Sequence, residues 1–178
     1  MTVSFAERVR SGQTVLGYWC VLDSPVSTER VARVGYDYVA LDAQHGLMGY
    51  SGWRDGLMAI DAAALGSAHP PAAGVVRVPA NDMTAIGQAL DAGAQAVIVP
   101  MVDDSDEAAR AVAACRYPPL GVRSYGPMRS GLRIGPDPAQ AHEATLCLAM
   151  IETARGLENV EEICRTPAWT ASTWARPT

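Results

Sequence analysis

Two polar residues, Asp42 and His45, follow a short apolar run in the stretch Y-V-A-L-D-A-Q-H-G, residues 38 to 46. The run has the length of one buried strand, and the polar pair lies where that strand should end. An aspartate near an imidazole can fix the tautomer of the ring and raise its basicity, which suits a general base. The alternative is that Asp42 caps the following loop and His45 is an ordinary surface histidine. The spacing alone leaves both interpretations open.

Two more polar residues stand at similar places in later segments. Arg77 lies in the apolar run G-V-V-R-V, and Glu152 follows the run L-C-L-A-M-I. A buried ion pair for Arg77 and a helix cap for Glu152 are the structural alternatives. Because the carboxyl ends of parallel strands meet at one edge of a sheet or barrel, four such residues together favour a common site.

The elements that position these residues alternate along the chain. Apolar runs predict strands at residues 14–20, 38–43, 74–78, 96–100 and 146–151. Helical patterns and caps predict helices at residues 24–34, 52–65, 82–92, 105–115, 139–143 and 156–164. Nearly continuous apolar strands indicate a parallel sheet, in either a barrel or a doubly wound fold. No glycine-rich dinucleotide fingerprint follows any strand, which argues against an NAD-binding fold.

Composition excludes several classes of function. The 178 residues suffice for one domain, and the net charge of -5 gives no support to a nucleic-acid partner. No run of 18 apolar residues predicts a membrane span, and the start lacks the apolar core of a secretory signal, so a cytoplasmic location is expected. All 14 basic residues are arginine. Without lysine, Schiff-base chemistry is excluded, including that of pyridoxal phosphate.

Ordered motifs over residues 17 to 167 resemble the HpcH/HpaI aldolase family, the metal-dependent pyruvate aldolases. The motifs are G-Y-W (17–19), L-D-A-Q-H-G (41–46), V-R-V-P (76–79), L-D-A-G-A-Q (90–95), V-P-M-V (99–102), R-Y-P-P-L-G-V-R-S-Y-G-P (116–127) and I-E-T (151–153). The resemblance implies a (β/α)8 TIM barrel, here incomplete with about five to six βα units. It also implies a homohexamer and the reversible cleavage of a 4-hydroxy-2-oxo acid into pyruvate and an aldehyde.

The resemblance also implies roles for single residues. His45 with Asp42 is the implied acid–base pair, and Arg77 is the implied catalytic residue that holds the carboxylate of the 2-oxo acid. Gln44 and Met150 stand where Glu and Gln are commoner in the family, and we expect these departures to alter shape more than mechanism.

Further implied contacts involve substrate and metal. Trp19 and Arg123 are implied to bind substrate, and Asp91 matches a family aspartate near the subunit boundary. Glu152 is the implied ligand of a divalent cation, Mg²⁺, Mn²⁺ or Co²⁺. Since no lysine is present, a cation is the remaining way to stabilise the enolate that cleavage produces.

Two rival functions remain. A citrate-lyase-like acyl-CoA lyase would need a basic surface for the phosphates of CoA, and Arg129 and Arg133 are the candidates. The other rival is an inactive barrel fragment, because a complete barrel typically needs about 250 residues.

The tail, residues 168–178, does not continue the pattern of the barrel domain, residues 1–167. Shifting the reading frame by one base after Pro167 can give G-L-D-G-I-Y-V-G-P-T-D, which resembles the next family segment. Its last Asp, the family's second metal ligand, would fall at Thr178. We therefore interpret the tail as out of frame, and expect the chain as written to bind metal weakly and to be inactive. A divergent or artificial terminus is the alternative.

Overall fold

The computed structural model describes residues 3–167 and the backbone of residues 171–174. The helices are α1 (Phe5–Arg10), α2 (Pro25–Ala32), α3 (Tyr50–Ala63), α4 (Met83–Asp91), α5 (Ser105–Cys115), α6 (Ser130–Arg133), α7 (Pro138–Ala144), α8 (Ala154–Glu158) and α9 (Val160–Cys164). The strands are β1 (Gly17–Cys20), β2 (Tyr38–Asp42), β3 (Ala73–Arg77), β4 (Ala96–Val99), β5 (Leu146–Ile151) and β6 (Ala171–Trp174).

The six strands form one parallel sheet in which they follow their order in the chain. Each βα unit therefore adds its strand beside the preceding one, as in the wall of a (β/α) barrel. A doubly wound sheet would instead reverse the strand order at a switch point. The barrel-type fold expected from the sequence is confirmed, with six strands within the described residues.

Alternate residues of the strands face two separate apolar clusters. The inner cluster includes Ala40, Val75, Ile98 and Met150, whereas the neighbouring positions pack outwards against the helices. This alternation follows from the period of two in a strand. On each strand, the inward-facing position after the last apolar residue of the inner cluster therefore lies at the carboxyl end of the sheet.

Helix α1, which no residue pattern predicted, covers the opposite, amino-terminal end of the inner cluster. A capping box between Ser4 and Glu7 starts the helix. Phe5 and Val9 then pack against the inner cluster, and the ring centroid of Phe5 lies 5.8 Å from that of Tyr38. The amino-terminal end of the sheet is thus closed by apolar packing.

Three elements differ from the sequence prediction. The expected helix at 156–164 is two helices, α8 and α9, that meet at Asn159. Residues 118–136 form a long loop, for which the sequence predicts neither a helix nor a strand, and this loop contains the short helix α6. The tail, for which the pattern predicted no element in its written frame, contributes β6, whose backbone pairs with the free edge of β5. The out-of-frame interpretation stays a prediction, because the rest of residues 168–178, including Thr178, lies outside the described residues.

The long loop is anchored beside the amino-terminal ends of the strands. Arg123 pairs with Asp91 at the end of α4, at 2.6 Å. The backbone N–H of Tyr117 donates to Nε2 of His142, at 2.9 Å.

Within the described part of the chain, no helix is both long and apolar enough to cross a membrane.

We expect the anchor at His142 to weaken in acid. Burial, together with the charges of Arg116 and Arg123, lowers the pKa of His142, although Glu143 and Asp137 oppose this. The folded state therefore binds fewer protons than the unfolded state, and the stabilisation present above about pH 6.5 is lost as the pH falls.

His142→Gln offers a non-titrating acceptor for the Tyr117 N–H. Hydrogen exchange of residues 116–136 is compared at pH 7.5 and 5.5 as protection relative to the intrinsic exchange rate at each pH. This protection should fall in acid for the wild type and fall less for this variant. His69→Gln, at an exposed histidine, is the matched control. The same acid response in His142→Gln and the wild type would contradict the assignment.

Candidate active site

The carboxyl ends of the strands bring several of the expected residues to one edge. Asp42 ends β2 and Arg77 ends β3, and the two are register partners in the sheet. Trp19 lies on β1 in register with Ala40, so its side chain belongs to the same inner face. Glu152 follows the last residue of β5 at this edge.

The carboxylate of Asp42, whose residue is 1% exposed, accepts hydrogen bonds from five N–H groups. Oδ1 accepts from Nε of Arg77 at 2.9 Å and from the backbone N–H groups of Gln44 and His45, each at 3.0 Å. Oδ2 accepts from Nη2 of Arg77 at 2.5 Å and from the indole Nε1 of Trp19 at 3.1 Å. A carboxylate offers about four lone-pair sites, so Asp42 is saturated.

The hydrogen bonds keep Asp42 ionised despite its burial. Burial by itself raises the pKa of Asp42. The bonds from Arg77, the backbone of His45 and the indole of Trp19, with the charge of Arg77, outweigh that effect and hold the pKa far below its usual range. The pair is therefore a salt bridge at neutral pH, and Asp42 is a poor proton acceptor.

Arg77 is 8% exposed and is held from several sides. Asp42 takes Nε and Nη2, and the guanidinium carbon lies 5.0 Å from the ring centroid of Trp19. The third nitrogen, Nη1, lies 3.7 Å from Sδ of Met150, which is a weak acceptor. Nη1 is thus the nitrogen of Arg77 best able to bind an incoming anion.

His45 has an exposed side chain in the loop that follows β2. Its backbone N–H, rather than its ring, bonds to Asp42 among the described residues. The loop-capping interpretation of Asp42 is therefore confirmed. Among the hydrogen bonds of the described residues, none joins the carboxylate of Asp42 to the imidazole of His45. A role for His45 as a base must therefore operate without a direct hydrogen bond from its ring to Asp42.

Glu152 is oriented by an unusual backbone segment after β4. Its Oε1 accepts from the backbone N–H of Met101 at 2.9 Å. Met101 has φ of 55°, a left-handed conformation that is uncommon for any residue with a side chain. The sequence gives no signal for this conformation, because methionine does not favour it, and so the role of Met101 was not foreseen.

The described residues do not by themselves fit a divalent cation. No three His, Cys, Asp or Glu side chains converge within residues 3–167 and 171–174. Glu152 supplies one carboxylate, and the oxygens of Asp42 are already occupied. The position proposed for the second carboxylate, Thr178, lies outside the described residues.

Arg123 lies away from the other expected site residues. It is 3% exposed, and its guanidinium carbon is 4.5 Å from the ring centroid of Tyr117 in the loop at the amino-terminal ends of the strands. Its ion pair with Asp91 lies there as well. The substrate-binding role implied by the resemblance stays a prediction, and it does not follow from proximity within this chain.

Replacement of Met101 tests whether its backbone conformation matters. Glycine tolerates a positive φ, so Met101→Gly should change the free energy of unfolding by less than about 1 kcal/mol. Valine disfavours it, and Met101→Val should destabilise the protein by about 1–2 kcal/mol. Urea unfolding measures both. Met128→Val, at a methionine that is 87% exposed, is the control, and equal stabilities of the two valine variants would refute the argument.

The chain is similar in sequence to known proteins. Residues 15–171 match the family described as HpcH/HpaI aldolase/citrate lyase. The 4-hydroxy-2-oxovalerate aldolase of Novosphingobium aromaticivorans is 40% identical over 163 residues, which cover 90% of this chain and 60% of that protein. The hydroxypyruvate/pyruvate aldolase of Rhizorhabdus wittichii is 40% identical over 153 residues, which cover 85% of this chain and 58% of that protein.

A solved structure extends the similarity to the fold. An HpcH/HpaI aldolase/citrate lyase family protein from Burkholderia cenocepacia matches with a TM-score of 0.83 at 31% identity, covering 97% of this chain and 68% of that one. The chain spans about 60% of the length of the two aldolases named above. Its sequence match and its fold together show that the chain belongs to the HpcH/HpaI aldolase/citrate lyase family.

Proposed function

We propose that this site takes part in the reversible aldol cleavage of a 4-hydroxy-2-oxo acid into pyruvate and an aldehyde. The observation that carries the proposal is the buried Asp42–Arg77 pair, which presents Nη1 of Arg77 at the same edge as His45 and Glu152. The names of the relatives, a 4-hydroxy-2-oxovalerate aldolase and a hydroxypyruvate/pyruvate aldolase, support the same substrate class.

Each residue has a separate task in the proposed reaction. Arg77 binds the carboxylate of the 2-oxo acid, and Trp19 closes one side of this position. His45 removes the proton from the 4-hydroxyl group as the C3–C4 bond breaks and the aldehyde forms. The electron pair of that bond passes to C3, giving the enolate of pyruvate, which is then protonated at C3.

A divalent cation is part of the proposal, with Glu152 as one ligand. Support comes from the family and from the hard oxygen donor at this position. Because Glu152 is the single ligand proposed from the described residues, the choice among Mg²⁺, Mn²⁺ and Co²⁺ and the remaining ligands are open to measurement. A cytoplasmic location and a homohexamer are likewise proposals, as is the absence of nucleic-acid, membrane, NAD and pyridoxal phosphate partners.

The two arginines that could bind the phosphates of CoA, Arg129 and Arg133, do not support the acyl-CoA lyase alternative. Arg129 and Arg133 both form ion pairs with Asp61 at the end of α3. They lie at the amino-terminal ends of the strands, away from Asp42 and Arg77. A phosphate-binding surface beside the site would need other residues.

The proposed function is tested by two assays with an excess of Mn²⁺. Because the chain as written is expected to be inactive, these assays and the kinetic variants below use the full-length version of the protein. The first follows pyruvate release from a panel of 4-hydroxy-2-oxo acids, and the second follows deuterium exchange at C3 of pyruvate by NMR. We expect exchange to stop with EDTA and to persist after borohydride treatment with pyruvate, because the chain has no lysine. His45→Ala should lower the rate of pyruvate release from the 4-hydroxy-2-oxo acid by about 100-fold or more, the scale of a lost general base.

The exposed His69 provides the control for loss of a histidine, and His69→Ala should keep the wild-type rate. Equal rates of pyruvate release in His45→Ala and the wild type would show that His45 has no role in the mechanism. Exchange that is indifferent to EDTA would remove the metal from it.

Arg77→Lys tests the geometry of the carboxylate-binding group. Lysine keeps the charge but replaces the planar fork, so it cannot donate to both oxygens of Asp42 and also offer a third oriented nitrogen. We expect kcat/KM for the oxo acid to fall by about 100-fold or more, the scale of two charge-assisted hydrogen bonds. Arg110→Lys, at an exposed arginine in α5, is the control. Unchanged kinetics in Arg77→Lys would contradict the role.

A further inference from the structure

Trp19 contacts both members of the buried ion pair. Its indole N–H donates to Oδ2 of Asp42 at 3.1 Å, and its ring lies 5.0 Å from the guanidinium carbon of Arg77. These are two different interactions, a charge-assisted hydrogen bond and a cation–π contact, made by one side chain. Trp19 is 37% exposed, so it also separates the pair from solvent at the β1 edge.

The other contacts of the pair define what Trp19 adds. Arg77 uses Nε and Nη2 for Asp42, which leaves Nη1 facing the thioether of Met150. Without its contact with the ring of Trp19, the guanidinium could tilt about its bonds to Asp42. The ring of Trp19 restricts that tilt, and its N–H holds the oxygen to which Nη2 donates.

We propose that Trp19 is a positioning residue that fixes the Asp42–Arg77 pair, so that Nη1 of Arg77 points towards the carboxylate of the substrate. Asp42 is also a positioning residue, because its oxygens are saturated with hydrogen bonds and cannot accept a proton or bind substrate. The inference rests on the proposed function for the identity of the substrate, but the positioning itself can be measured without substrate. Trp19 thus influences binding through Arg77 as well as by lining the site.

The direct test observes the Nε–H group of Arg77 by NMR in protein labelled with ¹⁵N-arginine. Arg77→Lys identifies the resonance. In the wild type, the buried Nε–H donates to Asp42 and should exchange slowly with water. Trp19→Phe keeps an aromatic ring but removes the N–H donor, and we expect exchange of the Arg77 Nε–H to become about 10- to 100-fold faster, the scale of one hydrogen bond to a charged group.

A second variant separates the two contacts. Trp19→Leu removes the ring as well as the donor, so exchange should be faster than in Trp19→Phe, and the ring-current shift of the Arg77 resonance should disappear. Trp53→Phe is the matched control, because Trp53 is 4% exposed and its Nε1 has no hydrogen-bond partner among the described residues. This control should leave the Arg77 resonance unchanged even if it lowers overall stability.

Binding of pyruvate, titrated in the presence of Mg²⁺, shows whether positioning matters for the substrate. We expect the Kd of Trp19→Phe to rise about 3- to 10-fold and that of Trp53→Phe to stay at the wild-type value. An Arg77 Nε–H signal that is unchanged in both Trp19 variants would overturn the inference. A changed signal with wild-type affinity would overturn the role in substrate binding.

The inference and the proposed function fail in different ways. If the wild type does not bind pyruvate but its Arg77 signal responds to Trp19→Phe, the substrate assignment is wrong and the positioning contact stands. If the wild type binds pyruvate and no Trp19 variant alters either measurement, the proposed function stands and the positioning role is wrong.

Discussion

The buried salt bridge between Asp42 and Arg77 is the interaction on which the site depends. Moving two charged groups out of water costs several kcal/mol each, and only close partners can offset that cost. Here the carboxylate has five N–H donors, and the guanidinium has a carboxylate and an aromatic ring. The pair also joins the ends of β2 and β3 to the loop that carries His45. Loss of either charge would therefore disturb both the binding group and that loop.

The two ends of the sheet have different tasks. At the amino-terminal end, α1 covers the inner apolar cluster, and the ion pair of Arg123 with Asp91 anchors the long loop. At the carboxyl end, the buried Asp42–Arg77 pair is fixed by several specific hydrogen bonds, and the exposed His45 lies in the loop beside it. This division is expected of barrels, in which the carboxyl-end loops carry chemistry and the other end contributes stability.

Backbone groups position the site as much as side chains do. The N–H groups of Gln44 and His45 fix Asp42, and the N–H of Met101, in a left-handed conformation, fixes Glu152. Such contacts depend on the course of the loops, and they survive many changes of side chain. They also explain how residues without reactive groups can influence the chemistry of this edge.

The pattern of apolar and polar residues predicted many of the strands and helices and the positions of the polar residues at the strand ends. The apolar run 146–151 gave β5 with the observed bounds, and the polar residues at the strand ends gave Asp42, Arg77 and Glu152 as neighbours at one edge. These predictions succeed because strand alternation and the burial of apolar runs are local properties of the chain. The sequential order of a parallel sheet then places successive strand ends side by side.

By itself, then, the sequence determined the alternating elements, the family and the edge at which the polar residues gather. Only the tertiary structure decided which groups meet: that Asp42 bonds the backbone rather than the ring of His45, that Arg123 lies at the far end, and that residues 171–174 pair with β5. The reason is that a hydrogen bond goes to whichever donor the fold brings closest. That competition among distant segments leaves no periodic trace in the sequence.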